Sequence, residues 1–429
     1  MAKSNIIAGI ELGSSKVATV IAQIVTDQVS FERSINIIGV SSVESKGVKK
    51  GQIVDIEDAV DSMITGVEAS ERMAGFNLEN AYVSLGGAHI SSQNSHGVVA
   101  ISDPKGEINY DDVERVIDAA SAVSLPSSRE IIHVIPREFI VDGEAGVRDP
   151  VGMSGIRLEV NTHIVTASSA ALKNIRRAIN EVGVKPTELV FSGLAASEAI
   201  LTKTEKELGC VLIDIGGGTT SVAAYIDGSL TYSGVLPIGA KNVTNDLAIG
   251  LRVSLESAEK IKLALSAEDK KAKRVKDKDT KQSATDECDL SMMGITDNKK
   301  VSKKTLTEGI IRPRLNEIFT MVRIALEREG FAGQVPAGAI VTGGGAEIVG
   351  IIDSAKRMLS LPVRIGKPKG VGGLIDDVIT PSFATPVGLI LYGAAKEPEE
   401  SLTSFSRRFK LPSKGIFGKL VDSVRDLLP

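Results

Sequence analysis

Residues 10–18 read IELGSSKVA, and residues 213–221 read IDIGGGTTS. Both stretches have an acid between two apolar residues, then glycine, then small and hydroxyl-bearing residues. This pattern predicts a strand, a tight turn and a second strand. Glycine in the turn lets backbone N–H groups wrap an anion, and the hydroxyl groups add hydrogen-bond donors. The two copies therefore predict two similar half-molecules that hold the phosphates of one nucleotide from opposite sides.

Two ordinary glycine-rich turns are the alternative interpretation, and the agreement between the copies weighs against it. Neither copy contains G-x-x-x-x-G-K-[ST], and neither reads as a G-x-G-x-x-G that opens a helix. The acids Glu11 and Asp214 precede the turns and can hold a metal ion through water. A third cluster, VTGGGA at residues 341–346, predicts a strand that ends in glycines and opens a helix. Such a cluster suits close contact with a flat ligand such as adenosine.

The composition is that of an ordinary globular protein. With 429 residues the chain is too long for one simple core, so two or more domains are expected. A formal net charge of −4 argues against a general nucleic-acid binder, which is usually basic. Cys210 and Cys288 lie far apart in the sequence, which fits a reducing, cytoplasmic setting without a disulfide framework. Glu11 interrupts the first apolar run, so no signal peptide is expected.

Strand and helix signals alternate along most of the chain, which predicts an α/β fold. A helix is predicted over 195–203, and the uncharged stretch 378–395 predicts a buried helix. Residues 84–165, with their glycine-rich turns, are expected to form an inserted subdomain. Residues 241–330 predict a mainly helical region. It is interrupted by 267–298, where lysines alternate with acids and favour a solvated or disordered loop.

Residues 415–429 predict an amphipathic helix. At about 100° per residue the apolar side chains fall within an arc of roughly 140°, and polar residues fill the opposite side. Residues 399–414 predict a flexible linker, and their basic residues favour an anionic lipid surface. Docking on the protein's own surface is the alternative. The apolar residues expected to enter a membrane are Ile416, Phe417, Leu420, Val421, Val424, Leu427 and Leu428.

Paired phosphate hairpins and a later Gly-Gly-Gly turn are typical of the actin-like ATPase superfamily. Within it, the chain resembles the FtsA family of bacterial cell-division proteins over nearly its whole length. The resemblance rests on GSSK at 13–16 and, in the insertion, on IHVIP at 132–136 and DPVGMSGIRLE at 149–159. Residues 245–262 are similar to the family's helical subdomain, and the tail resembles its membrane-targeting helix. The implied fold is actin-like, with duplicated ribonuclease-H-like domains facing a nucleotide cleft and an FtsA-type inserted subdomain.

The resemblance also implies a division of the chain and roles for single residues, with ATP and Mg²⁺ as cofactors. The implied ranges are 1–83, 166–203 and 384–398 for actin-like domain I, 84–165 for the insertion, 204–240 and 331–383 for domain II, 241–330 for the helical subdomain with its charged loop 267–298, 399–414 for the linker and 415–429 for the membrane helix. Glu11 and Asp214 would face the metal. Phosphate contacts would come from Gly13, Ser14, Ser15, Lys16, Gly216, Gly217, Gly218, Thr219 and Thr220. Adenosine would be bordered by Glu259, Lys262, Gly343, Gly344 and Gly345.

Two departures from the superfamily pattern bear on the chemistry. The first acid is Glu11, where the superfamily usually has aspartate, so the longer side chain would change the geometry around a metal-bound water. Ser192 stands where MreB-like relatives carry a glutamate that orients the attacking water, and serine is a poor general base at neutral pH. We therefore expect tight ATP binding and, at most, slow hydrolysis.

The resemblance implies a scaffold: an ATP-dependent filament that binds peripherally to the cytoplasmic face of the inner membrane at the division site. It would tether FtsZ there and recruit later division proteins through the inserted subdomain. The stretch RPR at 312–314 resembles a family stretch whose second arginine lies at the FtsZ-binding surface. Because the captured C-terminal peptide of FtsZ is acidic, Arg314 is a candidate contact by charge-assisted pairing, and a surface arginine without a partner is the alternative. A pilus-assembly relative such as PilM and a small-molecule kinase of the same fold are the competing functions.

Overall fold

A computed structural model describes residues 5–26, 33–103, 105–276, 286–289, 300–331 and 333–396. Within these residues strands and helices alternate, which confirms the predicted α/β class. The strands are β1 Asn5–Leu12, β2 Lys16–Thr26, β3 Arg33–Glu44, β4 Val48–Lys49, β5 Gln52–Ile53, β6 Asn80–Leu85, β7 Ser91–Ala100, β8 Arg129–Val141, β9 Glu144–Val147, β10 Arg157–Ser168, β11 Lys185–Phe191, β12 Cys210–Ile215, β13 Thr220–Ile226, β14 Ser229–Leu236, β15 Glu287–Asp289, β16 Lys300–Ser302, β17 Ala339–Thr342, β18 Val363–Ile365 and β19 Gly372–Gly373. The helices are α1 Ile56–Ala74, α2 Tyr110–Ser121, α3 Ser169–Glu181, α4 Ser192–Ile200, α5 Lys203–Leu208, α6 Ala240–Leu251, α7 Leu255–Lys276, α8 Lys303–Leu306, α9 Arg312–Arg328, α10 Ile351–Leu359, α11 Ile375–Val378 and α12 Ala384–Lys396.

The two large sheets have the same topology. In the first, the order is β11-β6-β1-β2-β3, with β19 added at the edge. Strands β1 to β3 are antiparallel, whereas β6 runs parallel to β1 and β11 runs parallel to β6. In the second, the order is β14-β13-β12-β17-β18, again with three antiparallel strands followed by two parallel ones. The duplication places the β1–β2 and β12–β13 turns at equivalent positions in two halves of one fold.

Strands β7 to β10 form a separate four-stranded sheet in the order β7-β10-β8-β9. Helix α2 packs on this sheet, and a capping box closes its N-terminus through Asn109 and Asp112. Side chains such as Val116, Phe139 and Leu158 fill a core that is distinct from the cores of the two large sheets. The insertion is therefore a small unit with its own hydrophobic centre.

Helices α6, α7 and α9 pack on the core of the second large sheet. Here the prediction of a loop over 267–298 is wrong at its start, because α7 continues to Lys276. The ammonium of Lys270, near the end of this helix, forms a 2.6 Å ion pair with Glu347. The strands β15 and β16 pair antiparallel further along, and residues 277–285 and 290–299 lie outside the described residues.

The predicted helix at 378–395 is α12, most of whose residues are buried. It begins only at Ala384, because residues 381–383 form a 3₁₀ turn. Helix α4 begins at Ser192, earlier than predicted, and ends at Ile200 because the next helix starts with a capping box at Thr202. None of the described helices is both long and apolar enough to cross a bilayer. The predicted linker and amphipathic tail, 399–429, lie outside the described residues.

Candidate functional site

The two predicted hairpins close in the same way and face one cavity. The N–H of Gly13 donates to the carbonyl of Lys16 at 3.0 Å, and the N–H of Gly216 donates to the carbonyl of Thr219 at 2.8 Å. Both turns line a cavity of about 1030 Å³ between the halves. A cavity of this size accommodates a nucleotide, since ligand pockets typically measure roughly 300–1,000 Å³.

Glycine in the second hairpin allows the two turns to touch. A Cβ on Gly217 would lie 2.7 Å from the Oγ of Ser15, and a Cβ on Gly218 would lie 2.9 Å from the Oγ of Ser14. Real Cβ atoms avoid such distances, so any larger residue would push the halves apart. Ser14 is itself held in place, because its Oγ accepts a 2.9 Å hydrogen bond from the N–H of Gly51.

The acids of the hairpins lie close to each other at the bottom of the cavity. Burial raises the pKa of Glu11 to about 7; Lys16 opposes this rise and Asp214 adds to it. Burial also raises the pKa of Asp214 to about 6, opposed by Lys16 and by the hydroxyl of Thr385, which donates to Asp214 Oδ2 at 2.9 Å. Glu11 Oε2 is buried without a hydrogen-bond partner. Two neighbouring carboxylates, one with a buried oxygen that lacks a hydrogen-bond partner, fit Mg²⁺, which takes one or two protein carboxylates and keeps several waters.

Lys16 lies beneath the first turn and contacts the segment that precedes α12. Its ammonium donates to the carbonyl of Ser382, lies 4.0 Å from the centre of the Phe383 ring and lies 3.9 Å from Glu11 Oε2. Burial lowers the pKa of Lys16, and the neighbouring acids oppose this effect. The side chain therefore connects the first hairpin to the entry of α12 while it also lines the cavity.

The glycine cluster is needed for the placement of Asp214. Gly343 has φ +80°, and a Cβ there would overlap Asp214 Oδ1; a Cβ on Gly345 would overlap the side chain of Ile215. Gly344 lines the cavity, and a Cβ there would lie 3.9 Å from the Cβ of Ser382, an ordinary van der Waals contact. The cluster opens a 3₁₀ turn over Gly344–Glu347 rather than an α-helix, and α10 begins only at Ile351.

The far end of the cavity is formed by the helical region. Glu259 Oε2 accepts from the hydroxyl of Thr244 at 2.5 Å and from the ammonium of buried Lys262 at 2.6 Å. The side chains of Leu255 and Leu263 are 59% and 58% exposed, yet both line this end. An apolar surface beside hydrogen-bonding groups suits a purine base and its ribose.

Most of the predicted ligand residues line this cavity, but Gly218 and Thr220 do not. The hydroxyl of Thr220 donates instead to the carbonyl of Ile238 at 2.8 Å. Ser192 lines the floor, where its Oγ lies 2.9 Å from the Oγ of Ser221. Arg314 lies elsewhere, on α9.

Arg314 is paired within its own chain. Its guanidinium donates to both oxygens of Asp246, at 2.6 and 2.9 Å, and it also pairs with Glu317. These bonds join α9 to α6 and hold the guanidinium at the surface of the helical region, where its side chain is 25% exposed. An acidic partner at this position would share or replace those carboxylates.

Sequence reasoning missed several residues that the cavity brings together. Lys241 reaches the first hairpin, Thr385 holds Asp214, and Leu255 and Leu263 form the apolar end. None of them belongs to a repeated or glycine-rich motif, so only their place in three dimensions reveals them. For Lys241, the only sequence feature that points to the cavity is its position about twenty residues after the second hairpin.

The repeated sheet, the facing hairpins and the cavity between them define an actin-like fold. Among solved structures, a PilM–PilN type IV pilus biogenesis complex is similar with a TM-score of 0.62 and 16% identity, over 91% of this chain and 99% of that one. MreB 5 of Spiroplasma citri bound to AMPPNP is similar with a TM-score of 0.50 and 15% identity, over 92% and 97% of the two chains. At these identities the likeness concerns the fold alone.

Sequence comparison identifies the family. The profile described as "SHS2 domain inserted in FTSA" matches residues 87–166, and the profile described as "Cell division protein FtsA" matches residues 211–388. Cell division protein FtsA of Pseudomonas aeruginosa is 36% identical over 93% of this chain and 92% of its own length. That of Borreliella burgdorferi is 38% identical over 96% of both chains. The chain belongs to the FtsA family of cell-division proteins.

Proposed function

We propose that this FtsA-family protein binds one ATP with Mg²⁺ between its two halves. Bound ATP would promote assembly into filaments, and the protein would hydrolyse it only slowly. The observation that carries the proposal is the pair of identically closed hairpins that meet across one cavity. Glu11 and Asp214 would hold the metal, the turns would hold the phosphates, and Glu259, Lys262 and Gly344 would border the adenosine. The metal would supply positive charge, which offsets the negative charge of the phosphates.

The residue at the floor of the cavity supports slow ATP hydrolysis. Ser192 is buried against Ser221 and has no carboxylate character, so it offers no base to a water molecule. ATP would therefore remain bound long enough to hold the closed arrangement of the halves. Since contacts to both hairpins exist only when the cleft is closed, bound nucleotide would shift the population towards that form.

The family membership supports a place at the division site, and the tail supports attachment to the inner membrane. A single amphipathic helix of this kind would bind the membrane weakly, because ordering the chain costs roughly 1–2 kcal/mol per residue. Several tails joined in one filament would bind far more strongly through effective concentration. Nucleotide-dependent assembly and membrane attachment would thus support each other, and the inserted subdomain would recruit later division proteins.

Capture of the FtsZ C-terminal peptide is proposed for the helical region around Arg314. The ion pairs of Arg314 with Asp246 and Glu317 hold the guanidinium in place, and an acidic peptide would compete with these carboxylates. A pull-down of FtsZ with Arg314→Glu tests this, with Arg323→Glu on the same helix as the control for charge. We expect capture to be lost in the first variant alone; equal capture by both would contradict the assignment.

The nucleotide proposal is tested by equilibrium binding of a fluorescent ATP analogue with and without Mg²⁺. We expect binding by the unaltered protein, strengthened by Mg²⁺, and a weaker effect of Mg²⁺ in Asp214→Asn. Binding that is absent, or that is unaffected by both the metal and the substitution, would contradict the proposed site.

A further inference from the structure

The first turn of α6 is fixed to the second hairpin. The N–H groups of Ala240 and Lys241 donate to the carbonyls of Gly216 and Gly217, at 2.9 and 2.8 Å. A Cβ on Gly239 would also lie within 2.6–2.9 Å of this backbone, so glycine is required for so close an approach. The main chain of Lys241 is therefore positioned by the second hairpin.

The side chain of Lys241 crosses to the other half. Its ammonium donates to the carbonyl of Ser14, in the first hairpin, at 2.7 Å. Within the described part of the chain this ammonium forms no ion pair with a carboxylate. A lysine thus lies between the two turns with a neutral carbonyl as its partner.

The other lysines that line the cavity are close to acids. Lys262, Lys260 and Lys270 form ion pairs with glutamates at 2.6 to 2.7 Å. Lys16 lies 3.9 Å from Glu11 and is bonded to the segment before α12. Their charges are thus partly offset by acids, so Lys241 is the described cavity-lining lysine whose ammonium is most available to a bound anion.

We propose that Lys241 is a phosphate-binding residue of the nucleotide site, and this inference rests on the proposed binding of ATP. A phosphate held by both turns lies beside Ser14, within reach of this ammonium. An anionic phosphate oxygen is a stronger acceptor than a neutral carbonyl, so Lys241 exchanges the carbonyl of Ser14 for the phosphate. The residue therefore recognises the phosphate chain rather than the nucleoside, and its contact depends on both halves.

Lys241→Met removes the charge while it keeps much of the side chain's length. Lys260→Met is the matched control, because Lys260 also lines the cavity but is paired with Glu256. Lys241→Arg keeps the positive charge, so it separates the loss of charge from other effects of a substitution at this position. Calorimetric titration with Mg–ATP and with adenosine, at one ionic strength, gives the affinity of each variant for both ligands.

We expect Lys241→Met to weaken the affinity for ATP by about 10- to 100-fold, as for the loss of one charged hydrogen bond, with adenosine changed less than about twofold. Lys260→Met should stay within about threefold for both ligands, and Lys241→Arg should stay closer to the unaltered protein than Lys241→Met. An unchanged affinity of Lys241→Met for ATP, or an equal loss for adenosine, would overturn the inference. If the unaltered protein binds no ATP, the proposed function itself fails.

Discussion

Gly343 is the residue on which the placement of Asp214 most depends. Its φ of +80° is available to glycine at little cost, and the space that a Cβ would need is occupied by the carboxylate of Asp214. A single missing side chain thus lets the end of β17 approach the acid of the second hairpin. The sequence predicts that the glycine cluster contacts a ligand, but not that Gly343 positions an acid.

Gly343→Ala should destabilise the protein by about 1–3 kcal/mol and displace Asp214, so that Mg²⁺ no longer strengthens ATP binding. Gly183→Ala is the control, because Gly183 also has a positive φ but a Cβ there would meet nothing within 4 Å. Thermal unfolding and ATP titration of both variants provide the measurement. A Gly343→Ala protein that binds Mg–ATP as well as Gly183→Ala would refute the role of Gly343.

Ser192 provides a second prediction at the scale of the residue. Its hydroxyl shares a hydrogen bond with Ser221, and we propose that it does not orient the attacking water. The rate of ATP hydrolysis in Ser192→Ala should therefore stay within about threefold of the slow rate of the unaltered protein. Steady-state phosphate release measures this. Turnover of several ATP per second in the unaltered protein, left unchanged by Ser192→Ala, would show that another residue acts as the base.

A group of polar contacts joins the insertion to the second half. His163 on β10 is fully buried, with Nδ1 2.8 Å from Asn94 Oδ1 and Nε2 2.9 Å from Ser233 Oγ on β14. Ser92 and Ser233 add two further hydrogen bonds between β7 and β14. These hydrogen bonds attach β7 and β10 of the insertion to β14 of the second half.

Burial, together with the nearby charges of Arg137 and His133, lowers the pKa of His163 to about 3. The unfolded chain takes up a proton below about pH 6.5, whereas the folded chain does not, so stability falls as the pH decreases from 6.5 towards 3. At pH 5 the loss is roughly 2 kcal/mol from this group.

The change His163→Gln should therefore reduce the fall in unfolding free energy between pH 7 and pH 5, measured by urea titration. His96→Gln is the control, since the side chain of His96 is 48% exposed. If both variants keep the full pH dependence, His163 does not cause it.

The tail can be tested as an element by deletion. Removal of 415–429 takes away the apolar face and should abolish sedimentation with anionic liposomes, because nothing else proposed for the chain inserts into lipid. ATP binding should be unchanged in the truncated protein. Unaltered sedimentation after deletion would reject the anchor and favour a tail that docks on the protein itself.

For the whole molecule, the sequence predicts two similar halves because the two hairpins repeat one short sequence pattern. The strand order that makes the halves equivalent agrees with that prediction. Lys241, Thr385 and the apolar pair Leu255 and Leu263 were not predicted, since their roles arise from contacts between distant elements. The sequence does not predict the full extent of α7, because its run of alternating lysines and acids resembles the sequence of a solvated loop.

The same logic explains why Arg314 was incompletely described by its sequence. The resemblance implies that Arg314 is a candidate contact for an acidic peptide, but it does not indicate that Asp246 on α6 pairs with both arms of the guanidinium. Pairing across helices depends on how α6 and α9 pack, which no short motif records. The structure therefore sharpens this residue from a lone cation to part of an ion-pair cluster.

We propose that both hairpins hold the same nucleotide, and calorimetric titration of Mg–ATP into matched hairpin variants tests this proposal. Gly13→Ala and Gly216→Ala place an equivalent Cβ in each turn, 2.8 Å from the carbonyl of Lys16 and 3.2 Å from that of Thr219. We expect one site per chain in the unaltered protein and a large loss of affinity in either variant, with thermal unfolding showing that both variants are folded. Two sites per chain, or a variant that keeps full affinity with one turn altered, would contradict it.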